Sequence, residues 1–196
     1  MIRGIGVLLV IFVVVATLTV PLAGGHLGRL LDVKLRALPI LFGAFIVQVL
    51  VISVIPDASE RVITTLHLLT YVAALAFVAL NLRLRGMWVV GLGGLLNFLA
   101  IAANGGVMPA SPSALRIAGI PVSTSGFENS AAVSHARLSF FGDVFAIPAS
   151  WPLANVYSIG DALIAVGVAV VIHQACATRL TSAGRRARDA VTQAEI

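Results

Sequence analysis

The chain predicts an all-α fold: a polytopic membrane bundle of about five transmembrane helices with one long, structured outer loop. Three observations carry this. Hydrophobic residues make up 59% of the chain and charged residues 11%, with mean hydropathy +1.04, against roughly 45–50% and about 25% in soluble domains. Windows free of Asp, Glu, Lys and Arg, close to the roughly 20 residues that a bilayer core demands, run over 4–25, 37–56, 62–82 and 86–115, with a shorter one at 162–178. Between the fourth and fifth lies a loop of more than fifty residues, 105–158, rich in Gly, Pro and polar side chains.

The expected spans lie near 4–22, 38–55, 62–82, 86–104 and 159–177, within a single transmembrane domain, 1–178, followed by a basic tail, 179–196. The first is a retained helix rather than a signal peptide, because its apolar run exceeds the roughly 7–15 residues of a signal core. Gln48 is the polar mark of the second span. The third carries His67 and Thr70 at one end, Ala73, Ala74 and Ala76 midway and Asn81 near the other. In the fourth, Gly93, Asn97, Ala100 and Asn104 recur at helical spacing on one face. A similar stripe of Ala162, Ala165, Ala169, His173 and Cys176 marks the fifth. Small and polar residues of this kind let helices approach closely and bond in lipid, so these faces are expected to form the interior. A sharper reading makes Gln48, His67, Asn97 and His173 the lining of a polar cavity or ion path. The spans lack a buried carboxylate, which argues against a proton relay.

Charge sets the orientation. The net charge is +5, but it is unevenly placed. With five crossings and an outer N-terminus, Arg29, Lys34, Arg36, Arg83, Arg85, Arg179, Arg185, Arg186 and Arg188 share one side, leaving Arg3, Arg61, Arg116 and Arg137 on the other. Lys and Arg bias marks the cytoplasmic face. The chain is therefore expected in the plasma membrane, C-terminus cytoplasmic and long loop outward. The basic excess is topological, with some attraction to anionic lipid, and no nucleic-acid partner is expected.

The outer loop holds the two most motif-like runs. Asn104-Gly105-Gly106-Val107-Met108-Pro109 ends the fourth span with glycines free to turn left-handed. Ser111 to Gly119 reads as a short helix with Ser111 as N-cap, Pro112 as first residue and Gly119 as stop. Residues 122–134, small and polar, form the expected mobile part. The Gly142–Pro152 segment is too apolar for water and too broken by Asp143 and proline for a span, so it is expected to fold back with Trp151 and Tyr157 at headgroup level. Ser158 and Asp161 have capping-box spacing at the start of the fifth span. Asn104, Gly105, Gly106, Met108, Pro109, His135, Asp143, Ser158 and Asp161 are the candidate outer-pocket residues. His135 with Asp143, joined by Glu128 or Asp161, is a weaker candidate for an acid–base or metal site.

Asn-Gly-Gly-x-Met-Pro-x-Ser-Pro-x-Ala-Leu at 104–115, Gly142-Asp143 with Pro148, and Ser158-Ile159-Gly160-Asp161 together resemble a bacterial integral-membrane family catalogued as a domain of unknown function, number fifty-three-seventeen. The resemblance covers nearly the whole chain and implies a small multi-span protein without assigned activity. It supplies no catalytic residues.

Walker, H-E-x-x-H, C-x-x-C and G-x-S-x-G motifs are absent, and no cofactor or metal is expected. The lone Cys176 excludes an intramolecular disulfide. The leading expectation is a non-enzymatic membrane module whose outer loop binds a lipid, a small ligand or a membrane partner, a second copy included. A small transporter or channel component is the alternative, followed by an interfacial enzyme acting on lipid or cell-wall precursors through His135 and Asp143.

Overall fold

The computed structural model describes residues 5–53, 59–121, 130–131, 133 and 135–181. Glu128, most of the segment 122–134 and the basic tail from residue 182 onward lie outside them. The protein is mostly helical. Five apolar helices occupy the five apolar stretches: α1 (Ile5–Leu22), α2 (Leu38–Ser53), α3 (Glu60–Leu80), α4 (Met87–Ala103) and, after the loop, α6 (Ile159–Ala175). The short helix α5 (Pro112–Ala118) lies within the loop, and 3-10 turns cover Leu27–Asp32 and Ser139–Phe141.

Length qualifies the five-span expectation. Arg61–Leu80, with mean hydropathy 2.0, is the one helix among the described residues long and apolar enough to cross a membrane by itself. The apolar parts of the other four are 10–17 residues long, at or below the lower end of the roughly 17–25 that a span uses. Turn chemistry bounds α4 at both ends. Gly86, at φ 99, starts α4 after a tight turn, and Gly105 and Gly106, at φ 69 and 93, end it.

Helix neighbours run in the order α2, α3, α4, α6, α1. The α4–α6 seam is the closest because it is made of glycine. A Cβ on Gly93 would lie 2.4 Å from the Gly160 carbonyl, and one on Gly167 would lie 2.6 Å from the Val90 amide. Gly86 abuts the Gly167 carbonyl in the same way, at 2.8 Å. Gly86 thus pairs with Gly167 and Gly93 with Gly160, seven residues apart on each antiparallel helix. On α4 the expected stripe is there: Gly93, Asn97 and Ala100 are buried, with Asn104 half-buried.

The stripe expected on α6 needs correcting. Ala162 is exposed, while Gly160, Gly167 and Ile172 are buried. This helix has two working faces, because it is packed on both sides. Glycines face α4, whereas Val168, Ala169, Ile172 and Cys176 pack with Ala16 and Val20 of α1.

Outside the helices, the loop is built from short strands. β1 (Met108–Pro109) pairs parallel with β2 (Ser130–Ala131), and β3 (Phe145–Ile147) pairs antiparallel with β4 (Asn155–Tyr157). A small core of Ala110, Ala114, Leu115, Ala118 and Val156 joins α5 to these strands. Ser111 precedes α5, and Gly119, at φ 65, stops it. The Ser111 hydroxyl does not cap the helix. It lies 2.7 Å from the Ser113 hydroxyl instead.

Candidate functional site

The loop and the end of the bundle meet around Asn97, at the start of α6. Ser158 and Asp161 form both bonds of a capping box: the Asp161 amide donates to Ser158 Oγ at 3.0 Å and the Ser158 amide to Asp161 Oδ2 at 2.8 Å. Asn97 reaches into that first turn. Its Nδ2 donates to Asp161 Oδ1 at 2.7 Å, and its Oδ1 lies 2.9 Å from Ser158 Oγ. The approach requires Gly160, where a Cβ would sit 1.9 Å from Asn97 Oδ1. Each residue of the Ser-Ile-Gly-Asp run therefore has a geometric role except Ile159, which is exposed.

Asn104 ends α4 and binds elsewhere. Its Nδ2 donates to the Ala100 and Arg137 carbonyls, both at 2.7 Å, and its Oδ1 accepts from the Arg137 amide at 2.9 Å. Asn81 repeats the device at the end of α3. It donates to the Phe77 and Arg36 carbonyls at 2.8 and 2.9 Å and accepts from the Arg36 amide at 2.8 Å. A helix-terminal asparagine can thus satisfy its own last turn and hold both backbone groups of a distant residue.

Asp143 is fully buried. Its amide donates to the Pro109 carbonyl at 2.9 Å, and its carbonyl accepts from the Ser111 amide at 3.0 Å. Gly142 lets these chains meet, since a Cβ there would fall 2.1 Å from the Pro109 oxygen. The Gly-Asp and Met-Pro motifs are two sides of one contact. Nearby, Tyr71 of α3 packs on the cluster of Ala100, Ile101 and Met108.

These positions do not all converge. Asn104 is bound to Arg137 rather than directed to Asp143, and His135 is exposed at φ 57. Gly106, Met108 and Pro109 are buried, while Gly105 faces solvent. Among the described residues, no group of three or more His, Cys, Asp or Glu could hold a metal ion. The polar candidates on the apolar helices fall on three helix pairs. Gln48 bonds His67 Nδ1 at 2.8 Å and accepts from Thr70 at 2.9 Å between α2 and α3. Asn97 ties α4 to α6. His173 lies 3.2 Å from both Thr19 of α1 and Thr178.

Sequence reasoning missed Gly86 and Gly167 altogether, and named Gly142, Gly160 and Asn81 without their roles as contact points and clamp. The signal for the seam was available as two glycine pairs with a common spacing of seven. The Gly142–Pro152 segment does fold back, but onto the loop's own β1, α5 and β4 rather than onto the helix bundle as expected, and not for the expected reason. Phe140, Phe145 and Trp151 remain exposed at 59%, 42% and 67%, while backbone bonds and the Gly142 contact hold the segment.

A family model described as "Family of unknown function (DUF5317)" matches residues 32–173, and the chain belongs to that family. No curated protein and no solved structure matches.

Proposed function

We propose that this member of DUF5317 is a non-enzymatic multi-pass membrane module whose outer loop is a rigid cap seated on the lipid interface. One observation carries the reading: apart from the exposed His135, the cap turns its polar candidates inward, and several of its large apolar side chains point outward. Asn104, Ser158 and Asp161 are spent on internal hydrogen bonds, and Asp143 is buried. Phe140, Phe145, Trp151 and Leu153 face out. Tryptophan and its neighbours favour the headgroup level, where an apolar ring and a wet edge are both satisfied.

The helices support the membrane part of the proposal. Leu18, Phe42, Phe45, Leu69 and Trp88 are 56–65% exposed, while His67, Thr70, Asn81 and Asn97 are buried. A water-soluble core has the reverse arrangement, and exposed apolar surface on this scale needs a partner or a bilayer. Helices of 17 residues, such as α4 and α6, rise about 25 Å. Such a shortfall against a core of about 30 Å is accommodated by local thinning. The charge bias supports an outward-facing cap. Catalysis through His135 and Asp143 has less support, because one is exposed and the other enclosed. Transport has less support because the polar groups occupy separate helix pairs.

Two measurements test this. Ser150→Cys on the cap should react with a membrane-impermeant maleimide in intact cells, and Gly28→Cys only after permeabilisation. The reverse pattern would refute the orientation. With Trp88→Phe leaving Trp151 as the single tryptophan, headgroup-level spin-labelled lipid in proteoliposomes should quench its fluorescence. If only an aqueous quencher acts, the cap does not rest on lipid.

A further inference from the structure

At the far end of α4 from the cap, a cavity of about 770 Å³ opens between the 29–36 segment, the turn at 83–85 and the last turn of α6. We propose that this cavity binds a phosphate-bearing anion. Among the described residues, Arg29, Lys34, Arg36, Arg83 and Arg85 line it, and Asp32 is its single carboxylate. Five cations around one concave space repel one another, and an anion with several acceptor oxygens relieves that repulsion. Guanidinium groups match phosphate in particular, because their planar donors bind two oxygens at once. The volume lies within the roughly 300–1,000 Å³ of small-ligand sites.

A topological bias explains how many basic residues lie on this face but not why they surround a cavity. The structure adds that the walls are fixed to each other. Asn81, fully buried, holds both backbone groups of Arg36 at 2.8 and 2.9 Å. Arg83 donates to the Lys34 carbonyl. Gly86, at the end of the 83–85 turn, rests directly on α6. The cationic side chains are exposed on this framework, so an entering ligand meets them without first opening the fold. Val171 and Ala175 supply an apolar side to the same cavity, which suits the glycerol or first methylenes below a lipid phosphate. Phospholipid headgroups and soluble phosphate share the recognised chemistry.

The test uses full-length protein in an uncharged detergent. It is titrated with short-chain phosphatidylglycerol, phosphatidylcholine of the same chain length, and inorganic phosphate, with binding followed by native mass spectrometry and thermal shift. Saturable binding of phosphatidylglycerol at least tenfold tighter than phosphatidylcholine is expected, weakening as salt shortens the screening length. If inorganic phosphate displaces the lipid, the site recognises the phosphate group itself; if it does not, the site recognises the intact headgroup. Arg29→Gln with Arg36→Gln should lower affinity at least tenfold, and Arg29→Lys with Arg36→Lys should recover most of it. Arg116→Gln with Arg137→Gln, on the cap, should change nothing. Unchanged melting of each apo variant verifies that it is folded. Glutamine variants that bind like the original protein, or no saturable binding of either lipid or phosphate, would overturn the proposal.

Discussion

Gly160→Ala adds one methyl group at the tightest point of the α4–α6 seam. Its Cβ would be placed 1.9 Å from Asn97 Oδ1 and 2.6 Å from the Gly93 carbonyl. Ordinary contact begins near 3.4 Å, so the helices must separate by about 1.5 Å or Asn97 must leave. Overpacking of this kind costs about 1–3 kcal/mol. Displacing Asn97 also removes its bonds to Ser158 and Asp161, each worth about 0.6 kcal/mol in a membrane protein. The total, about 2–4 kcal/mol, corresponds to a drop in melting temperature of roughly 5–15 °C on the scale of domains this size. Gly43→Ala is the control, because nothing lies within 4 Å of that position in α2. Alanine there should be neutral or stabilise the helix by about 0.5–1 kcal/mol. Both variants are heated in the same detergent and scored for monodisperse protein. A Gly160→Ala variant that melts within about 1 °C of the original would refute the claim that glycine contact sets this seam.

Gly106→Val combines a φ of +93 with a Cβ 2.6 Å from Thr64 Cγ2, so folded yield should fall sharply. Gly105→Ala, with φ +69 but open space, should cost only about 1 kcal/mol, which a parallel purification would compare. Asn81→Ala releases Arg36 from its clamp, so trypsin should cleave the detergent-solubilised variant after Lys34 or Arg36 at least several-fold faster; an unchanged rate would show that the clamp does not hold this segment.

Local chemistry was legible where one short stretch decided the outcome. Ser158 and Asp161 announce a capping box by spacing alone, and Pro112 with Gly119 brackets α5. The glycines after Asn104 have positive φ, and the Gly106 amide returns to the Ile101 carbonyl at 2.9 Å, the six-to-one bond of a Schellman ending. Such features close within a few residues, so the chain carries both partners together. Hydrophobic windows located the helices for the same reason, although the ends of several came sooner than the windows suggested.

What escaped the sequence was pairing over long separations. Gly142 looked like half of a Gly-Asp dipeptide, and its need to lack a side chain follows only from Pro109, 33 positions earlier, whose carbonyl it meets. Asn97 looked like one step in a packing stripe, whereas its partners lie 61 and 64 residues ahead. In both cases a polar group and a glycine serve one contact: the glycine removes the steric barrier and the polar group uses the space. Burial of a single aspartate or asparagine on an apolar face is thus better read as a question about which glycine stands opposite. In this chain that question leads back to α6, where Gly160 admits Asn97 and Gly167 admits the start of α4. The motif-like residues of the loop then serve chiefly to fix the cap's position, leaving its exposed aromatic rim and the basic cavity at the other end of α4 as the surfaces with chemistry still to spend.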